Sequence, residues 1–266
     1  MPLDGPRSKL ERSKTHLRDL EAAIQRFFES NPYEVVVEDN PHSGQREYRV
    51  ARADPLPSCL SLIAGDVIHN ARSVLDHVIW RLVKANGGEP QERRTAFPIW
   101  KSKSAYKAGR PGDAKGISEE ALDLLYALKP YKGGNDALWR LHQLDIVDKH
   151  RLLLTVAAAN RNIALNVGAI MRKTFANTPG NEWVQDTPDM HVALNPGHRT
   201  RIATGALLFG VPLGNETYDD VKFAIEVALH EPEIVESEPL IPALDQLVSF
   251  VEHVLGLFEP LLTRPS

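Results

Sequence analysis

The chain has 266 residues, 42% of them hydrophobic and 25% charged, with a formal net charge of −4. That is the composition of a globular protein with a sizeable core, and it has no overall positive field to draw it onto nucleic acid or an anionic membrane. A single cysteine, Cys59, excludes an internal disulfide and any cysteine-based zinc cluster, which fits a reducing cytoplasm.

The N-terminal stretch MPLDGPRSKLER has no apolar h-region. No run of about 18 apolar residues occurs, so no transmembrane helix is expected. These features predict a cytoplasmic protein with no membrane partner and no strong DNA-binding signal, although RSKLERSKTHLR gives the first helix a local basic surface. That helix is predicted from about Arg7 to Ser30, because Leu10, Leu17, Leu20, Ile24, Phe27 and Phe28 recur at helical spacing and Asn31-Pro32 stops it. YEVVVED and REYRVAR, around NPHSGQ, read as a β-hairpin near residues 33–52.

Asp54-Pro55 is placed to cap a second helix lasting to about Ala85, where Asn86-Gly87-Gly88 offers a stop. A long basic loop from Glu89 to Gly116 follows, of the kind that is often functional or mobile. Ser118-Glu119-Glu120 opens a short helix ending near Pro130, and Asn135-Asp136 starts another through Arg151. The texture then turns strand-like in RLLLTVAAAN, NIALNVGAIM, DMHVALNP, TRIATGALLFGVP and KFAIEVALHEPE, before a final amphipathic helix over about 240–262. The order implies an α+β fold: an N-terminal helical bundle with a hairpin (7–151), a mostly antiparallel β-rich part (152–236), and a last helix packing back on the bundle, all as one unit.

The chemistry concentrates in the second helix, AGDVIHNARSVLDHVIW. At roughly 100° per residue, His69, Asn70, Ser73 and His77 fall within roughly 60° of Asp66, with Arg72 and Asp76 at one edge. The opposite arc is apolar. A solvated face would carry long Lys and Glu side chains. A column of short hydrogen-bonding groups suits a buried network or a site.

A second cluster lies in LHQLDIVDKHR: His142, Asp145, Asp148, Lys149, His150 and Arg151. Its last three residues meet the negative end of a helix dipole. Asp148, at helical spacing from Leu141 and Leu144, is predicted to face the apolar side, where a carboxylate is costly unless paired. Arg72, His69 or His77 is the expected partner, so the two helices should be neighbours. If they meet, a His beside a buried Asp can act as a general base. A divalent metal held between the helices by Asp66, His69, His77 and an Asp of the second cluster, serving a metal-assisted hydrolase built on a helical bundle, is a weaker fit, since the two histidines are two turns apart, and no residue pattern names a cofactor. A structural polar network in a binding protein explains the same residues without catalysis.

The stretches GDVIHNARSVLDHVIW and LDIVDKHRLLL, with FPIW and LKPY between them, resemble a family of uncharacterised bacterial proteins, common in actinobacteria, over roughly residues 7–155. A more distant resemblance is to HEPN proteins, helical bundles that include ribonucleases of defence systems and are marked by Arg, four to six residues, then His on one helix. Arg72 and His77 match that spacing, with Ser73 where Asn, Asp or His is more usual. The resemblance implies a metal-independent ribonuclease of a defence or stress system, working as a homodimer on RNA. Arg72 would contact phosphate and His77 would move a proton. The two clusters themselves add His69 and Asp148 as candidate catalytic groups and Asp66, Asn70, Asp145 and His150 as candidate binding groups. Five residues separate Arg72 from His77, which turns them roughly 140° apart on one helix.

Overall fold

The computed structural model describes residues 3–109, 111–151, 156–176, 178–194, 202–213 and 222–263. Its elements run α1 (Asp4–Glu29), β1 (Tyr33–Asn40), β2 (Gln45–Ala53), α2 (Ser58–Ala85), α3 (Lys103–Lys107), α4 (Glu119–Ala127), α5 (Asp136–Arg151), β3 (Val156–Asn166), α6 (Val167–Thr174), β4 (His191–Leu194), β5 (Leu207–Pro212), β6 (Lys222–Glu231), β7 (Val235–Pro239) and α7 (Leu240–Thr263), with short 3-10 turns at Gly112–Ala114 and Glu182–Asp186. This is an α+β fold with two antiparallel sheets. The chain divides into two compact units, one of residues 1–24, 57–155 and 229–266, the other of 25–56 and 156–228.

The first unit is built around α2. Its apolar arc, including Val67, Ala71, Val74, Leu75, Val78 and Ile79, is fully buried and packs on α5 and α7. Each of the Val, Leu and Ile side chains contributes roughly 1.5–3 kcal/mol, so burial of this arc fixes which way the polar column must face. The final helix does pack back on the bundle, burying Leu244, Leu247, Val248, Val251, Leu255 and Phe258. Among the described helices α7 is also the one long and apolar enough to cross a membrane by length and composition. Here its apolar side meets α2, α4 and α5.

The second unit holds the hairpin. β1 and β2 pair antiparallel from Tyr33↔Ala53 to Asn40↔Gln45, and β5 adds to the other edge of β2. Asn40 Oδ1 accepts the main-chain N–H groups of His42 and Ser43, and Gly44 takes a positive φ of 66°, which closes the turn. Val50, Ile202 and Leu208 form the buried cluster beneath, flanked by Tyr33, Val35 and Ile225. A four-stranded sheet runs in the order β4-β3-β6-β7, with β7 belonging to the first unit.

Several local expectations are corrected. The Asp54-Pro55 cap does not form: α2 begins at Ser58 with Pro57 at the cap position and no side-chain cap, so Asp54 falls three residues short of the cap, and its carboxylate accepts from Arg52 at 2.5 Å instead. NIALNVGAIM is not one strand. β3 ends at Asn166, whose Oδ1 accepts from Ala169 N–H and starts α6. There Gly168 lies so close to Pro188 that an added Cβ would sit 2.0 Å from its carbonyl oxygen. The run before β5 falls partly outside the described residues. The long loop is fastened by an aromatic cluster. Trp100, Tyr106, Tyr126 and Tyr131 pack ring to ring, Tyr106 Oη–H donates to the Tyr126 carbonyl, and Tyr126 Oη–H donates to that of Gly109.

Candidate functional site

All eight candidate residues lie in the first unit, on α2 and α5. Arg72 is buried, 6% exposed, although it is permanently charged. Its Nη1 donates to Asp76 Oδ1 at 2.6 Å, one turn on, and its Nη2 donates to the Phe97 carbonyl at 2.8 Å. The N–H of Phe97 returns to Asp76 Oδ1 at 2.8 Å. The Arg72–Asp76 pair therefore grips both main-chain polar groups of one residue and docks the loop on α2, with the Phe97 ring buried alongside. Arg72 Nε–H also reaches His142 Nδ1 at 3.5 Å. That contact needs an unprotonated Nδ1. It agrees with a His142 pKa held below its ordinary value by burial first and by the Arg72 charge second.

The rest of the column ties α1 to α2. Ser13 Oγ–H donates to the Val67 carbonyl at 2.8 Å, and Lys9 Nζ donates to Asn70 Oδ1 at 3.3 Å. Asn70 Nδ2 turns back to the Asp66 carbonyl at 2.8 Å. On the α5 side, His69 Nδ1–H donates to Asp145 Oδ1 at 3.2 Å and Lys149 Nζ donates to Asp145 Oδ2 at 2.5 Å. The two sequence clusters do meet, as expected. The carboxylate that joins them is Asp145, not Asp148. Asp145 lies four residues after Leu141 and Asp148 four after Leu144, so helical spacing puts both beside buried leucines and does not tell them apart. Position along α5 does: Asp145 sits a turn further from the helix end, and its side chain is 4% exposed.

Asp148 is half-buried and makes no hydrogen bond to Arg72, His69 or His77 among the described residues. Burial raises its pKa, and the negative charges of Asp145 and Asp66 raise it further. It abuts Gly65, where an added Cβ would lie 2.3 Å from Asp148 Oδ1. Gly65→Ala should therefore cost stability in the native background. In an Asp148→Ala background it should add up to ~1 kcal/mol, the helix preference for alanine over glycine. Chemical denaturation of the four proteins measures this, and equal effects in both backgrounds would make the backbone, not Asp148, the obstacle. Asp66 and His150 are exposed. Among the described residues no three His, Cys, Asp or Glu side chains are grouped so as to hold a metal ion.

His77 leaves this network. It opens onto a cleft of about 660 Å³ lined by Gly5, Asp76, His77, Trp80, Arg81, Lys84, Glu92, Arg93, Thr95 and Ala96. Burial lowers its pKa, with Lys9 adding to the shift and Asp76 opposing it. Positions 77, 80, 81 and 84 share one helix face by the i, i+3, i+4, i+7 rule. That spacing was legible in HVIWRLVK, but Trp80, Arg81 and Lys84 were hidden behind the denser polar column before them. Arg93, on the opposite wall, could be found only once the Phe97 clamp folded the basic loop onto the helix.

Arg72 and His77 thus do not converge. One is embedded in a clamp and the other lines the cleft beside it. Compared with protein-family models, curated proteins and solved structures, the chain matches none of them.

Proposed function

We propose that the protein is a non-catalytic binding protein of the cytoplasm, in which the polar column of α2 is a structural clamp and the cleft beside it takes an anionic ligand. One observation carries this reading: the guanidinium expected to meet substrate is already bonded to Asp76, Phe97 and His142 and is shut away from solvent. The cations of the cleft wall are not so committed. Among the described residues none of the Arg81, Lys84 and Arg93 side chains makes an ion pair; the lining supplies Glu92 as its one carboxylate besides the clamped Asp76, and Asp4, outside the lining, interacts with Arg81 through its charge. A protein that binds pyrophosphate in the cleft should gain ~2.7 kcal/mol of stability at a hundredfold excess over the dissociation constant. The measurement is a thermal melt with and without pyrophosphate. The shift should vanish in Arg81→Glu, and no shift in the native protein refutes the reading.

His77 favours one second reading, the metal-independent HEPN-like ribonuclease. Burial keeps its imidazole neutral and ready to accept a proton, with Arg81 one turn away. In that case Arg81, not Arg72, is the phosphate ligand. Cleavage of RNA in EDTA, lost in a folded His77→Ala variant, would establish it. An intact RNA substrate after prolonged incubation with the native protein rejects it.

A further inference from the structure

The cleft is more specific than an anion site needs to be. Its volume of about 660 Å³ lies in the range of small-molecule sites, several times what a bare phosphate fills. Its lining is divided by chemistry. Trp80, half-buried, has no ring contact with another aromatic side chain among the described residues, unlike the interlocked Trp100. An indole lining a cavity without a ring partner is a surface on which a planar group can stack. Around it stand two guanidinium forks, Arg81 and Arg93, and the Lys84 ammonium. Guanidinium groups match phosphate oxygens in pairs. Thr95 and His77 also line the cleft, the Thr95 hydroxyl oxygen already accepting from the Gln91 N–H at 2.8 Å, and the wall at Gly5 has no side chain: a Cβ there would lie 3.0 Å from His77 Nδ1.

We propose that this cleft binds a 5′-nucleotide, free or as the end of an RNA strand, with the base on Trp80 and the phosphate on Arg81, Arg93 and Lys84. The proposal rests on the anion-binding reading above and names its ligand. Both halves of such a ligand are needed. Adenosine lacks the charge that the three cations call for, and inorganic phosphate leaves the indole uncovered.

Titration of the full chain with AMP, adenosine and inorganic phosphate, followed by calorimetry and tryptophan fluorescence, tests this. AMP should quench fluorescence and bind at least tenfold tighter than either fragment. Trp80→Ala should weaken AMP by roughly tenfold while leaving phosphate affinity unchanged. Arg93→Glu, at an exposed loop position that does not risk the fold, should weaken both AMP and phosphate. A 5′-phosphorylated RNA hexanucleotide separates the two sources: tighter binding than AMP assigns the cleft to strand ends, and equal binding assigns it to the free nucleotide. Phosphate binding with AMP no tighter overturns the nucleotide and leaves the anion site standing. Failure of both ligands to bind overturns the two readings together.

Discussion

Arg72→Ala should lower the stability of the helical unit by ~2–3 kcal/mol, below the ~3–5 kcal/mol of breaking a fully buried charged pair, because the Asp76 side chain left behind is 37% exposed and water can take up part of its charge. The effect has two parts. The Phe97 carbonyl loses its donor in a buried setting, which alone costs roughly 1–3 kcal/mol. Asp76 keeps the Phe97 N–H but loses the guanidinium that balances its charge. Arg72→Lys should restore little, because the three donors of an ammonium diverge from one nitrogen and cannot reproduce the spread of Nε, Nη1 and Nη2 toward His142, Asp76 and Phe97. The loop should also come away from α2, since Phe97 is its anchor there. Arg93 and Arg94 are exposed just before that anchor, so trypsin should cut the variant at these positions well below its melting temperature. Urea unfolding and timed proteolysis measure both effects. A loss under ~1 kcal/mol, the range of a solvent-exposed ion pair, would mean that Arg72 is exchanging with water. It would then be available to a substrate, and the ribonuclease reading would recover its phosphate ligand.

The contrast between Arg72 and His77 shows how far the sequence could be read. Helical periodicity separates the buried arc of α2 from its polar column, and a carboxylate on the leucine side of α5, in need of a partner, predicts that the two helices touch, though the carboxylate so named is Asp148 and the joint is made by Asp145. The α+β order follows from the change in texture after Arg151. What periodicity cannot supply is the third partner. Nothing in RSVLD announces that Arg72 and Asp76 close on a main-chain segment twenty-one residues beyond Asp76, because a backbone carbonyl and N–H have no sequence signature. The same holds for the loop. Its Gly and Pro residues read as freedom, while its Trp100 and Tyr106 rings act only after the chain has brought them against Tyr126 of α4 and Tyr131 beyond it. The break between β3 and α6 was hidden for a different reason: NIALNVGAIM is apolar enough for a strand throughout, and one asparagine side chain decides otherwise.

Asp145 and Asp148, three residues apart, should respond to mutation in opposite directions. Asp145→Ala removes a carboxylate with a 4% exposed side chain that accepts from His69 and Lys149. Hydrogen bonds to a charged group contribute roughly 1.5–3 kcal/mol. The loss should fall toward the lower end, because His69 and Lys149 are about half exposed and water takes them back. Asp148→Asn should instead stabilise at neutral pH, by ~0.5 kcal/mol after allowance for solvent screening. The sign follows from the direction of its shift. Its folded-state pKa lies above the ordinary 3.8, raised by burial and then by Asp145 and Asp66. The ionised carboxylate is therefore less at ease in the folded chain than in the unfolded one. That penalty is complete above the raised pKa and disappears as pH falls through it to below the ordinary value. The advantage of the Asp148→Asn variant over the native chain should accordingly be present in melts at pH ~7 and gone at pH ~3.5. Such a pattern places the joint between α2 and α5 at Asp145 and leaves Asp148 as a carboxylate held against Gly65 at some cost. Destabilisation by Asp148→Asn as large as that by Asp145→Ala would reverse the assignment and restore Asp148 as the carboxylate that joins the two helices.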